Sequence, residues 1–173
     1  MSLKIYFCKA DCYTNFIPTG ELFKAGEYMD NLTIKKITTE DPEYQGSLTL
    51  RDQVLRKPLG ISLEQEAKSS EEDAHHFVAL LEGEVIGTLF LIETENQIYQ
   101  MRQVAVDQDY QGKSIGKQLV IEAEKWAKDF GVKKIWMHAR QNAWPFYEAL
   151  GYSYTSDEYM QIGIVHKTME KVV

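Results

Sequence analysis

The residues with the clearest capacity for chemistry lie between an apolar run ending at Val106 and a helical pattern that begins near Ser114. They read Asp107-Gln108-Asp109-Tyr110-Gln111-Gly112-Lys113-Ser114-Ile115-Gly116. A glycine-bearing turn that feeds a helix leaves backbone N–H groups unpaired and pointing outward. The helix dipole adds about half a positive charge at the same place, so a pyrophosphate fits there without a dedicated side-chain cage. Gly112 and Gly116 let the backbone come close where a Cβ would intrude, and Lys113 and Lys117 add charge at the rim. The spacing is neither that of a P-loop, G-x-x-x-x-G-K-[ST], nor that of the G-x-G-x-x-G dinucleotide fingerprint. Taken alone, the segment reads equally as a phosphate-holding loop and as a tight turn with close helix packing.

Other chemistries find little support. Cys8 and Cys12 have C-x-x-x-C spacing, but no second ligand pair suggests zinc. Neither a G-x-S-x-G elbow nor an H-E-x-x-H helix occurs. Trp126, Trp136 and Trp144 read as core or interface aromatics. Glu64, Glu66, Glu71, Glu72 and Asp73 form an acidic run that reads as a solvated face; lining an acceptor cleft, it would favour a cationic amine. The 173 residues carry 19 Lys and Arg against 26 Asp and Glu, a net charge of −7. A field of that sign disfavours nucleic acid and anionic membrane surfaces as partners. No apolar run approaches the roughly 20 residues of a membrane span, and the start has no signal-peptide pattern. Two cysteines exclude a disulfide framework and point to a reducing, cytoplasmic setting.

The elements that must position the loop follow from periodicity. Residues 1–31, broken by Pro18, Gly20 and Gly26, read as an appendage of unknown role, with residues 32–173 as the domain. Leu32, Ile34 and Ile37 mark a first strand. Asp41 before Pro42 reads as an N-cap, opening a helix that points Tyr44, Leu48, Val54 and Leu55 inward and ends before Pro58. Residues 77–81 and 84–92, joined by Glu82-Gly83, form a hairpin, and a third strand spans 98–106. Ile115, Leu119, Glu122/Ala123, Trp126 and Phe130 give an apolar stripe on a helix that Gly131 stops. A strand over 132–139, a short helix from Pro145 to Gly151, and strands near 152–154 and 162–169 complete an α+β, mixed α/β pattern.

Arg102-Gln103-Val104-Ala105-Val106 followed by Tyr110-Gln111-Gly112-Lys113-Ser114-Ile115-Gly116-Lys117-Gln118-Leu119 resembles the acetyl-CoA signature Q/R-x-x-G-x-G/A of the GNAT N-acetyltransferase superfamily. Gln111 opens the motif and Gly116 closes it. Ser114 replaces the usual central glycine, at a cost if that position needs a positive φ. The stretch from Met137 to Tyr152, with Phe146-Tyr147 at its centre, is similar to the family's closing motif A-x-x-x-A-x-x-F-Y-x-x-x-G-F/Y. The resemblance covers roughly residues 32–170. It implies a central, mostly antiparallel sheet of six to seven strands flanked by helices, and acetyl transfer from acetyl-CoA to a primary amine in a ternary complex.

The resemblance also implies roles. The N–H groups of Gln111, Gly112, Lys113, Ser114, Ile115, Gly116 and Lys117 would hold the cosubstrate. The backbones of Val104 and Val106 would bond its pantetheine arm, with the N–H of Val104 polarising the thioester carbonyl and Asn142 reaching in from the next strand. Tyr147 would be the general acid toward the sulfur; the alternative reading is an aromatic packed beside Phe146. Glu93, His138, the His75-His76 pair and His166 are all open as general base, as is water. Two rivals remain: a non-catalytic acyl-CoA sensor of the same fold, and a scaffold without cofactor. The acceptor and the oligomeric state, a homodimer included, are left open.

Overall fold

The computed structural model describes residues 31–60 and 71–173. The expected appendage over 1–31, with Cys8 and Cys12, lies outside the described residues except for Asn31, as does the acidic run up to residue 70. Eight strands form one sheet: β1 Leu32–Ile37, β2 His75–Leu81, β3 Glu84–Glu95, β4 Ile98–Val106, β5 Lys134–Arg140, β6 Ser153–Tyr154, β7 Tyr159–Gln161 and β8 Ile164–Val172. Their order is β1-β2-β3-β4-β5-β8-β6, with β7 paired to β8. All pairings are antiparallel except β4 with β5. The strand expected near 152–154 is the short β6, and the expected count of six to seven is exceeded by the three-residue β7, which is too brief to leave a periodic signal.

The hairpin turn joining β2 to β3 places Glu82 at φ 52° and Gly83 at φ 87°, the twist that matches right-handed strands. Helix α1 (Glu43–Arg51) and helix α2 (Ile115–Phe130) cover opposite faces of the sheet's centre. Side chains alternate along β3: a Cβ on Gly87 would meet Leu119 of α2 at 2.7 Å, while the ring of Phe90 lies 5.1 Å from the guanidinium of Arg51 in α1. Phe77, Val78, Ala79, Leu89, Phe90 and Leu91 are buried between the two layers. Helix α2 buries Ile115, Leu119, Val120, Ala123 and Ala127. Phe130, expected on the same stripe, is instead 59 % exposed and stacks on Trp126 at 4.7 Å.

The first helix departs from expectation. Asp41 does not cap it; its Oδ2 accepts from the N–H and hydroxyl of Thr38 (2.7 and 2.8 Å), and Pro42 stands at the cap position. The helix does not stop before Pro58. It widens into a π-helical turn (Asp52–Arg56), tightens into a 3₁₀ turn (Lys57–Leu59), and ends at Gly60 with φ 67°. Proline is tolerated at the start of the 3₁₀ turn because its missing N–H would be unpaired there anyway. The buried residues are Ser47, Leu50, Arg51 and Arg56 rather than the expected Tyr44, Leu48, Val54 and Leu55. Among the described residues, no helix is long and apolar enough to cross a membrane.

Candidate active site

The cleft originates in one irregularity of β4. Thr88 of β3 pairs with Ala105, but Phe90 pairs with Arg102, so Gln103 and Val104 together face Leu89. Gln103 adopts φ 55° to make room. Such a bulge bends its strand and re-aims neighbouring side chains. The parallel pairing of β4 with β5 covers only Ile98↔Lys134, Tyr99↔Ile135 and Gln100↔Trp136. Beyond that the strands separate and enclose a cleft of about 400 Å³. Arg102, Gln103 and Val104 line it from β4, His138 and Arg140 from β5, and Tyr147 from helix α3 (Trp144–Glu148).

The register sorts these side chains by face. Arg102 opposes Phe90 and therefore points to the α1 side. Trp136 is level with Gln100, so His138 and Arg140, two and four residues on, share that side; Arg140 donates to the Leu55 carbonyl at 3.3 Å. Val106 opposes Gly87 on the α2 side.

The loop after β4 has the geometry of an anion cradle. Gly112 takes φ 76° and Ser114 φ 62°. The first intrahelical bond of α2 runs from the N–H of Gln118 to the Ser114 carbonyl (3.0 Å), which leaves the N–H groups of Ile115, Gly116 and Lys117 ahead of the helical ladder. Gly112 is required by its dihedral, since a Cβ there would meet nothing within 4 Å; at Gly116 a Cβ would touch Val106 and Phe146 at ordinary distances of 3.5 and 3.6 Å. Ser114 sits in the left-handed region after all, a conformation costing a serine about 1–2 kcal/mol. The Gln111 side chain donates to the Val106 carbonyl (3.1 Å), tying the loop to the strand end. Lys113 lies 4.9 Å over the Tyr110 ring, and Lys117 is exposed. The side chain of Ile115 belongs to the core, 1 % exposed, so only its backbone faces the loop.

Tyr147 is 6 % exposed, packed edge-on against Phe146 at 4.9 Å and Tyr152 at 5.8 Å. Burial pushes its phenol above the usual range, against a small opposing influence of Arg140. Asn142 lies in an exposed 3₁₀ turn (Gln141–Ala143) just past β5 and does not line the cleft.

The candidate bases separate cleanly. Glu93 accepts from the Gln97 N–H at the hairpin tip (3.0 Å), outside the cleft. His75 is enclosed by Trp126, Phe130 and Tyr99. His76 is fully buried, its Nδ1 3.4 Å from Arg51 and its Nε2 3.1 Å from the Glu71 carbonyl. Arginine has no acceptor, so Nδ1 is the lone-pair nitrogen and Nε2–H donates. His138 and His166 both line the cleft. His138 hydrogen-bonds through Nδ1 to Tyr159, whose hydroxyl lies 3.4 Å from Thr168 Oγ1. Burial, with His166 and Arg102 nearby, lowers the pKa of His138. In the acidic run, Glu71 is committed to Arg51 (2.8 Å) and Tyr44 (3.1 Å), and neither Glu72 nor Asp73 lines the cleft. Arg102 and Arg140 were not singled out by sequence reasoning as lining residues; the alternation of β4 and β5 was a usable signal, but the bulge that turns it into a cleft was not.

A model of the Acetyltransferase (GNAT) family matches residues 37–152. A Bacillus subtilis (strain 168) protein whose name marks it as a candidate acetyltransferase is 26% identical over 143 residues, covering 81% of this chain and 96% of its own. The crystal structure of a candidate N-acetyltransferase from Lactobacillus plantarum superposes with a TM-score of 0.74 at 26% identity, over 83% of this chain and 99% of that one. A GNAT family acetyltransferase from Elizabethkingia anophelis, solved with acetyl-CoA bound, shares the fold at a TM-score of 0.61 and 18% identity, over 83% and 99% of the two chains.

Proposed function

The chain belongs to the acetyltransferase (GNAT) family, and from that membership we propose that it moves the acetyl group of acetyl-CoA onto a primary amine of a small molecule or exposed peptide, within a ternary complex. Residues 32–173 form the catalytic domain in this reading. The observation that carries it is the bulged, splayed junction of β4 and β5, with the α2 N-terminus beyond its end and Tyr147 in its wall. That acetyl-CoA is bound in the Elizabethkingia anophelis relative supports it as cosubstrate.

Acetyl-CoA supplies an activated thioester carbonyl. The N–H groups of residues 111–117 hold its phosphates by dipole and hydrogen bond. The backbone edge of β4 at Val104 and Val106 takes the pantetheine arm as an added strand; one acceptor position of Val106 is already used by Gln111. The Val104 N–H, re-aimed by the bulge, stabilises the oxygen on which charge develops. Asn142, in the exposed 3₁₀ turn that follows β5, contributes a peripheral contact to the cosubstrate.

His138 is the base of this scheme. The scheme takes the tautomer in which Nδ1–H donates to the Tyr159 oxygen and Tyr159 donates on to Thr168; in that tautomer Nε2 holds the lone pair and takes the proton of the attacking amine. The new C–N bond forms as the C–S bond breaks, and the Tyr147 hydroxyl gives its proton to the departing sulfur, to be restored from solvent. A sensor that only bound acyl-CoA would need neither group. The test is calorimetric titration of acetyl-CoA and CoA into wild type and Tyr147→Phe, followed by thiol release with an amine panel. Binding by both proteins with turnover by wild type alone supports the scheme; no binding by wild type rejects it.

A further inference from the structure

We infer that the amine acceptor carries an acid group, a carboxylate or a phosphate-type oxyanion, and that Arg102 reads it. The inference rests on the transferase reading and adds the substrate class. The chain as a whole is acidic, with a net charge of −7, yet the described residues lining the cleft include Arg102, Arg140, His138 and His166 and no Asp or Glu. Several cations elsewhere are paired with carboxylates: Arg51 with Glu71, Lys134 with Glu170, Lys167 with Glu158, Lys171 with Glu124. Among the described residues no carboxylate pairs with Arg102. Its guanidinium lies instead 5.7 Å over the ring of Phe90. A guanidinium without a carboxylate partner keeps its N–H groups for a planar, two-pronged oxyanion contact.

The position of Arg102 assigns this contact to the acceptor rather than to the cosubstrate's phosphates. The phosphate loop follows Val106, which faces α2 and lies beside Gly116. Arg102 stands four residues earlier on β4, and because the bulge lies between them the two positions are three β3 residues apart, roughly 10 Å along the strand, with Arg102 on the opposite, α1 face. On that face it shares the cleft wall with His138. An acceptor whose amine lies at His138 Nε2 therefore presents its other end to Arg102.

The experiment compares matched amines: free amino acids and dipeptides against their carboxamides, and phosphoethanolamine against ethanolamine. Thiol release is measured with wild type, Arg102→Gln and Arg102→Lys, each first checked for acetyl-CoA binding by calorimetry. The expected result is preference of wild type for one acid-bearing series, a KM for that series raised about 10–100-fold in Arg102→Gln, partial recovery in Arg102→Lys, and neutral amines unaffected. The two series separate carboxylate from phosphate. Equal use of acids and amides by wild type overturns the inference, as does an equal loss for both in Arg102→Gln. Acetyl-CoA binding without turnover of any acid-bearing amine also overturns it while leaving the transferase reading standing. Failure of wild type to bind acetyl-CoA defeats that reading first.

Discussion

Tyr147 and Ser114 show how much a single residue reveals through its surroundings. The phenol of Tyr147 ionises only above its ordinary range because it is buried, so it stays protonated throughout neutral pH and can only donate. Tyr147→Phe removes the donor while keeping the packing on Phe146 and Tyr152. It is expected to lower kcat by about 10²–10⁴-fold with the calorimetric affinity for acetyl-CoA unchanged; a matching loss of affinity would assign the ring to packing instead. Ser114 was legible as the odd member of the glycine motif, but its φ of 62° was not, because a dihedral depends on where the loop must deliver its N–H groups. Ser114→Gly removes the left-handed penalty and should stabilise the fold by about 1 kcal/mol, read as a rise in Tm of about 2–4 °C for a domain of this size. An unchanged or lower Tm would mean that the extra chain entropy of glycine cancels the relief.

At the scale of elements, legibility followed periodicity. The β2–β3 hairpin and helix α2 were readable because a period of two or of 3.6 survives along their length. The bulge in β4 was not, since two residues facing one is a property of the pairing with β3 rather than of either sequence. The first helix was misread for a related reason. Its π-helical turn over Asp52–Arg56 inserts a residue into the helical count and rotates the buried face onto Arg56, while Arg51 is buried through its partners. Both terminal oxygens of Glu71 lie within 3.0 Å of Arg51 Nη1, Tyr44 donates to the same carboxylate, and the arginine's face covers Phe90. Removing one partner leaves the other charge poorly solvated. Arg51→Ala is expected to cost about 3 kcal/mol in chemical unfolding. Arg51→Met with Glu71→Gln should recover much of that; recovery failing in the double variant would show that the network also fixes the position of α1.

For the whole molecule, the sequence pattern indicated strands followed by an alternation of strands and helices, and the sheet obeys it: β4, α2 and β5 form its one parallel unit, flanked on either side by antiparallel strands. What the pattern could not convey is that three of the four histidines sit where a charge is unwelcome. His75 is depressed to about 4, chiefly by burial among aromatic rings, then by Lys36 and His76, against a weaker pull from Glu93. His76 and His138 are lowered for the same leading reason. In each case the unfolded chain, with an ordinary value near 6.5, takes up its proton before the folded one does. Stability is therefore complete above about pH 6.5 and is lost progressively as pH falls toward 4. Below that, the lowered carboxyls of Asp41 and Glu43, held down by Thr38 and Lys35 respectively, add a second loss as they protonate. For His75 the first window amounts to on the order of 2 kcal/mol once partial exposure of the ring is allowed for. Thermal unfolding followed by circular dichroism from pH 7.5 to 4.5 should show Tm falling throughout the lower half of that range, with a shallower fall in His75→Phe. A Tm flat from pH 6.5 to 4.5 would mean that these histidines are as easily protonated folded as unfolded, and that the aromatic enclosure of His75 opens to water.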